Sequence, residues 1–169
     1  MKTLAQLFWA VCLMRKGPED IPYSPPLLVV VLAAYAVVSL AMQLLGGDLI
    51  SALAHMLLDV GLMLVATTLL LYMAGHGARL VQTITALAGS GVVLALIALP
   101  IVVAMVSVDM QQGVPLPLGL AWLALVVWSV MVSGSIYARA LGKHRITGVG
   151  IAMLLFIAAL LLSDTLLRG

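Results

Sequence analysis

Five long apolar runs separated by short polar or glycine-bearing breaks constrain this chain more than any other feature of its sequence. Each run is near the roughly 20 residues that a helix needs to cross about 30 Å of hydrocarbon. Inside lipid a chain segment must satisfy its own backbone N–H and C=O groups, so runs of this length read as helices. The predicted spans are Pro26 to Leu45, Leu49 to Met73, Leu80 to Val108, Leu116 to Ala140 and Gly148 to Leu167. The breaks are Gly46-Gly47-Asp48, Gly75-His76-Gly77, Asp109 through Pro115, and Gly142-Lys143-His144-Arg145, all with turn or solvent-facing chemistry. Such short connections should make sequential helices neighbours. Pro100 lies inside the third span, where it removes a backbone donor and should kink the helix or end its regular part early.

Composition closes off the soluble alternative. With 64% of its 169 residues hydrophobic and 8% charged, the chain lacks the polar groups to coat a water-soluble domain. The expected fold class is therefore all-α: a polytopic transmembrane bundle of about five helices, with the bilayer as solvent. A net charge of +2 without any basic tract interleaved with aromatics gives no reason to expect a nucleic-acid partner. Cys12, the one cysteine, rules out an internal disulfide and reads as a small apolar side chain.

The bases assign an orientation, because short cytoplasmic loops are enriched in Lys and Arg. Lys2, Arg15 and Lys16 precede the first span, Arg79 lies between the second and third, and Arg139, Lys143 and Arg145 flank the loop after the fourth. Those seven share one side; only Arg168 falls on the other, beside loops that carry Asp48 and Asp109. An odd number of spans fits this alternation. The expected placement is the cell inner membrane, multi-pass, with a cytoplasmic N-terminus and a periplasmic C-terminus.

Ahead of the first span, the apolar stretch Leu4 to Met14 is too short to cross the bilayer. It is followed by Arg15-Lys16 and by no small-residue cleavage site, which argues against a signal peptide. On a helix, Leu4, Leu7, Phe8, Val11 and Cys12 share one apolar face with Trp9 at its edge, as expected of an amphipathic helix in the cytoplasmic interface. Arg15 and Lys16 would then meet lipid phosphates. Pro18, Pro22, Pro25 and Pro26 make Gly17 to Pro26 an extended, helix-free elbow. The organisation that follows is an interfacial helix and elbow over residues 1–25 and a five-helix transmembrane domain over 26–169.

Ionisable groups within a span cost several kcal/mol unless paired or hydrated, so each marks a candidate site. Asp59 lies near the middle of the second span, with His55 four residues earlier on the same helical face. Counting inward puts Tyr35, Ser90 and Ser129 at a similar depth, so the bundle can hold a polar layer. Two readings follow. In one, Asp59 bonds a neighbouring hydroxyl and ties helices together; in the other, Asp59 and His55 form a proton or ion relay or a small-ligand site. The basic residues Lys2, Arg15, Lys16, Arg79, Arg139, Lys143 and Arg145, with Trp9, are the candidates for contact with lipid or a partner.

Small residues at Ala86/Ser90, Gly91/Ala95, Ser129/Ser133 and Gly134/Ala138 let helix backbones approach one another. Trp9, Tyr23, Tyr72, Trp122 and Tyr137 fall near span boundaries and read as interfacial anchors. No GxSxG elbow, HExxH, P-loop or dinucleotide fingerprint occurs, so no catalytic residue, cofactor or metal site is expected, and the chain does not read as an enzyme.

The elbow Gly17-Pro18-Glu19-Asp20-Ile21-Pro22-Tyr23, the stretch Arg79 to Gly91 opening the third span and Trp128 to Ala140 closing the fourth resemble the Yip family of five-span membrane proteins. Eukaryotic members carry a longer cytoplasmic tail and engage prenylated Rab GTPases; this chain resembles the short prokaryotic members. The resemblance implies fold and topology and no active-site residue. The expected role is a non-enzymatic scaffold or accessory subunit, partnered by the bilayer and by a membrane protein or a second copy of itself. The alternative is a small transporter or channel subunit working through Asp59 and His55.

Overall fold

The computed structural model describes residues 3–108 and 113–167. They form six α-helices: α1 (Leu4–Cys12), α2 (Pro25–Leu44), α3 (Leu49–Met73), α4 (Leu80–Val106), α5 (Leu116–Ala140) and α6 (Arg145–Leu167). No strand occurs among the described residues, and α2 to α6 are each long and apolar enough to cross a membrane. The chain is an all-α polytopic bundle. Lys2, Asp109 and Arg168 lie outside the described residues.

Helices α3 and α5 have the predicted bounds, and α2 is shifted by one residue. Pro100 does not end α4, which continues to Val106. Helix α6 begins at Arg145, three residues before the predicted start, so Arg145 is its first helical residue and not part of the loop. His144 explains the early start: its carbonyl accepts the Gly148 N–H and its Nδ1 accepts the Ile146 N–H at 3.4 Å, closing the first turn ahead of two glycines. The proline elbow also contains a single 3-10 turn, Pro18–Asp20, in place of a wholly extended path. Asp20 folds back to accept the Gly17 N–H at 3.0 Å, an Asx-type closure that an extended chain cannot make.

Sequential helices do pack as neighbours, but α2 lies more extensively against α4 than against α3, and α3 also meets α6. The closest approach is between α5 and α6. A Cβ on Gly148 would run into the backbone of Gly134 and Ala138, and one on Gly134 would meet Val149 at 2.6 Å. The Gly134/Ala138 pair thus does what small residues in a membrane helix allow: it brings two backbones into contact.

All the described Lys and Arg residues sit at one end of the bundle, here the basic end; the opposite, base-free end holds the α2–α3 turn with Asp48. Helices α1, α3 and α5 all finish at the basic end with the same closure. The residue after the C-cap takes positive φ (Met14 at 56°, Gly75 at 73°, Gly142 at 61°), and the next N–H reaches back to a carbonyl of the last turn. Glycine takes that conformation freely; Met14 takes it against the steric preference of a side chain.

Helix α1 has the apolar face that its spacing predicts, with Leu7, Phe8, Val11 and Cys12 buried, while Leu4 is exposed. The surface that covers this face is α4 and α5. Phe8 sits over Gly89, where any Cβ would overlap its ring. The Cys12 thiol reaches the Ser90 carbonyl at 3.7 Å, and the Trp128 Nε1–H donates to the Cys12 carbonyl at 2.9 Å, occupying one of the carbonyls a helix end leaves without a partner. Trp9 meets Trp128 edge to face, with ring centroids 6.5 Å apart. At 1.5 Å per residue, Gly89 and Trp128 lie about 14 and 18 Å from the basic ends of α4 and α5. The helix therefore seats against protein at a depth set by Gly89, where the missing side chain makes room.

Candidate functional site

Near the middle of the bundle, α2 and α3 are joined by polar groups. Tyr35 and Ser39 are four residues apart, so their hydroxyls lie on one face of α2. The Tyr35 hydroxyl donates to Asp59 Oδ2 at 2.6 Å and the Ser39 hydroxyl to the same oxygen at 3.3 Å. The first distance is at the short end of the O–H···O range. Gly91 on α4 makes it possible: a Cβ there would meet the Tyr35 ring at 2.5 Å, so the ring passes over bare backbone to reach α3.

His55 is not part of this arrangement. Its Nδ1–H donates to the Ser51 carbonyl one turn back at 2.7 Å, which turns the ring along its own helix toward the base-free end. Of the two readings of Asp59, the bond to a neighbouring hydroxyl is the one the geometry shows, made by a tyrosine and a serine from the adjacent helix. Sharing a helical face made a His55/Asp59 pairing geometrically available, but a ring nitrogen within reach of the backbone carbonyl one turn back bonds locally.

Asp59 forms part of the wall of a cavity of about 600 Å³ to which all five long helices contribute. Tyr35, Ser90 and Ser129, the residues predicted to share the depth of Asp59, all line it. So do Ser39, Ser133 and Tyr137, while Met63, Leu94, Trp122 and Phe156 are among its apolar and aromatic walls. Ser90 and Ser129 bond carbonyls of their own helices, at 3.1 and 2.8 Å. Tyr137 is buried and shares a 3.0 Å hydrogen bond with the fully buried Thr67. It was expected as an interfacial anchor; instead it closes the side of the cavity nearer the basic end. Trp122, also expected at the boundary, borders the cavity while remaining 40% exposed.

A second hollow of about 500 Å³ lies at the base-free end, lined by Asp48, Ser51 and His55 among others. Met42, Gln43 and Val102 line both spaces, so the outer hollow is a vestibule adjoining the central cavity. Asp48 caps α3 by accepting the Ile50 and Ser51 N–H groups at 3.0 and 3.2 Å. These bonds, led by the one from the Ser51 hydroxyl, hold its carboxyl below the usual range.

The basic residues divide into two sets. Arg139 turns inward: Nη1 pairs with Glu19 at 2.9 Å and Nη2 donates to the Met14 carbonyl at 3.0 Å, clamping the end of α1 and the elbow to α5. Arg79 donates to the carbonyls of Arg139 and Ala140 at 3.3 and 3.0 Å, filling the acceptors at the end of α5. Lys16 pairs with Asp20 at 3.5 Å. Arg15, Lys143 and Arg145 are exposed, as a lipid- or partner-facing set requires. Trp9 keeps 45% exposure beside Trp128.

The sequence reading missed Ser39, Thr67 and the inward role of Tyr137. A signal for Ser39 was present in its four-residue spacing from Tyr35; nothing local marks Thr67 and Tyr137, seventy residues apart, as partners. No family model, curated protein or solved structure matches the chain.

Proposed function

We propose that this chain is a small transporter-type subunit of the inner membrane, Yip-like in its topology, whose substrate occupies the central cavity against Asp59. The supporting observation is the cavity: about 600 Å³, within the range of small-molecule sites, with a carboxylate and hydroxyls converging on an otherwise apolar wall. An intramembrane carboxylate beside such a space is the usual mark of a substrate or ion pathway. The polar groups come from α2 and α3, so a ligand at Asp59 touches the contact that sets how these helices pack, and its arrival bears on the shape of the bundle. Asp59 is the ligand-contacting residue, Tyr35 and Ser39 position it, and His55 lines the route from the base-free end. The basic end faces the cytoplasm and the C-terminus the periplasm.

The scaffold reading draws on the basic cytoplasmic face and on the N-terminal helix, whose apolar face is part of what it would offer. That face is packed on α4 and α5, leaving Leu4, Trp9 and Leu13 outward, so the surface offered to a partner is smaller than the sequence suggested. Reconstitution tests the transporter reading. Proteoliposomes of the parent should carry a solute or ion flux that Asp59→Asn removes; a parent silent toward anions, cations and neutral solutes alike would end it.

A further inference from the structure

Resting on that reading, we infer that the central cavity selects an apolar organic monocation that arrives through the vestibule at the base-free end. The charge pattern carries this. Among the residues lining the two spaces the carboxylates are Asp59 and Asp48, and neither space is lined by Lys or Arg. No ion pair reaches Asp59 from any described residue. Every described Lys and Arg stands at the opposite end of the bundle. A carboxylate held by two hydroxyls in an apolar wall is short of a counter-charge, and a mobile cation supplies one.

The rest of the wall argues for an organic ion over an inorganic one. Stripping water from a small metal cation calls for several oxygen ligands at close range; the cavity offers one carboxylate, and no group of three or more His, Cys, Asp or Glu that could hold a metal ion occurs among the described residues. What it offers in quantity is aromatic and thioether surface, from Tyr35, Trp122, Tyr137 and Phe156 with Met42 and Met63. Ring faces attract a diffuse cation, and methionine adapts to an irregular apolar body. A single carboxylate at mid-depth matches one positive charge.

Parent protein in nanodiscs, with empty nanodiscs as the blank, should bind labelled tetraphenylphosphonium saturably. The isosteric anion tetraphenylborate and the neutral triphenylphosphine oxide should compete at least tenfold less well. Asp59→Asn should weaken binding tenfold or more. Gln43→Lys, which puts a cation in the throat shared by the two spaces, should do the same, whereas the same charge placed at the basic end by Ile146→Lys, at a position 77% exposed and outside both linings, should leave binding within a fewfold of the parent. Protection of Cys12 from thiol reagents reports that each variant is folded. If cation, anion and neutral probe bind alike and Asp59→Asn changes nothing, charge selection is overturned while the cavity reading stands. If none of the three binds to the folded parent, both fall; a preference for tetraphenylborate overturns the cation inference alone.

Discussion

Placing an alanine at position 89 should unseat α1, and Cys12 provides the means to see it. The new methyl group would occupy the space of the Phe8 ring, which is itself confined between α1 and α4. Overpacking of this kind costs about 2 kcal/mol, within the usual 1–3 kcal/mol range. At about 1.4 kcal/mol per tenfold change, the fraction of molecules with α1 undocked should rise about 30-fold. Cys12 is fully buried in the seat, and burial pushes its thiol up to about 11. At pH 8 that alone leaves the docked thiol about 90-fold less ionised than one at the ordinary value of 9.0. Maleimide labelling in nanodiscs therefore proceeds through the undocked state, and its rate follows the opening equilibrium. Gly89→Ala should label about 30-fold faster than the parent. Adding Phe8→Ala should not accelerate it by the further amount that Phe8→Ala alone produces, because the clash is then gone. An unchanged rate in Gly89→Ala, or strict additivity in the double variant, would refute the account of how α1 is seated.

Other predictions concern the closures and contacts around that seat. Met14→Gly should slow Cys12 labelling by a fewfold, since glycine accepts the positive φ of that position without strain and about 1 kcal/mol is at stake. Gly148→Leu should force α5 and α6 apart, lowering the thermal midpoint of detergent-solubilised protein by an amount equivalent to about 3 kcal/mol, which circular dichroism melting can check. The carboxyl of Asp20 is held below its ordinary value of 3.8, first by the Gly17 N–H and also by Lys16 and Arg139. A depressed carboxyl contributes stability that is fully present above the unfolded-state pKa and is lost as pH falls through the lowered native one. Labelling of Cys12 with dithiodipyridine, which reacts with thiols in acid, should thus accelerate in the parent below about pH 4, while Asp20→Asn starts faster at neutral pH and shows a smaller acid step.

The long helices were legible because hydropathy and bilayer thickness fix a span to within a turn, and α2 to α6 obey that rule whatever their neighbours do. The apolar face of α1 was legible for the same kind of reason: Leu7, Phe8, Val11 and Cys12 repeat at helical spacing. Its covering surface was not. Gly89 and Trp128 meet α1 across roughly eighty and one hundred and twenty residues of chain, and neither carries a local mark of that contact. Asp59 stood out as an intramembrane acid, and the depth count gathered Tyr35, Ser90 and Ser129 around one cavity. The hydroxyl bond of Asp59 was one of two readings, and His55 bonds its own helix instead; the sequence left the choice open because a helical wheel shows which residues share a face and says nothing of which neighbouring helix turns its own polar face inward. Arg139 and Arg79 were assigned to lipid or a partner on position alone; carbonyls at the ends of α1 and α5 draw them inward, a demand visible only once those ends are together.

The seat of α1 also bears on the order in which the chain is assembled. A ribosome delivers α1 ahead of α2 to α6, yet the glycine that receives Phe8 comes some eighty residues later, and the indole that holds the Cys12 carbonyl some forty residues after that. Through most of synthesis the first helix has a greasy face and no surface of its own to put it on. Its docking is therefore a late step, made after α4 and α5 are in place, and a segment that emerges ahead of all five long helices is among the last to find its position.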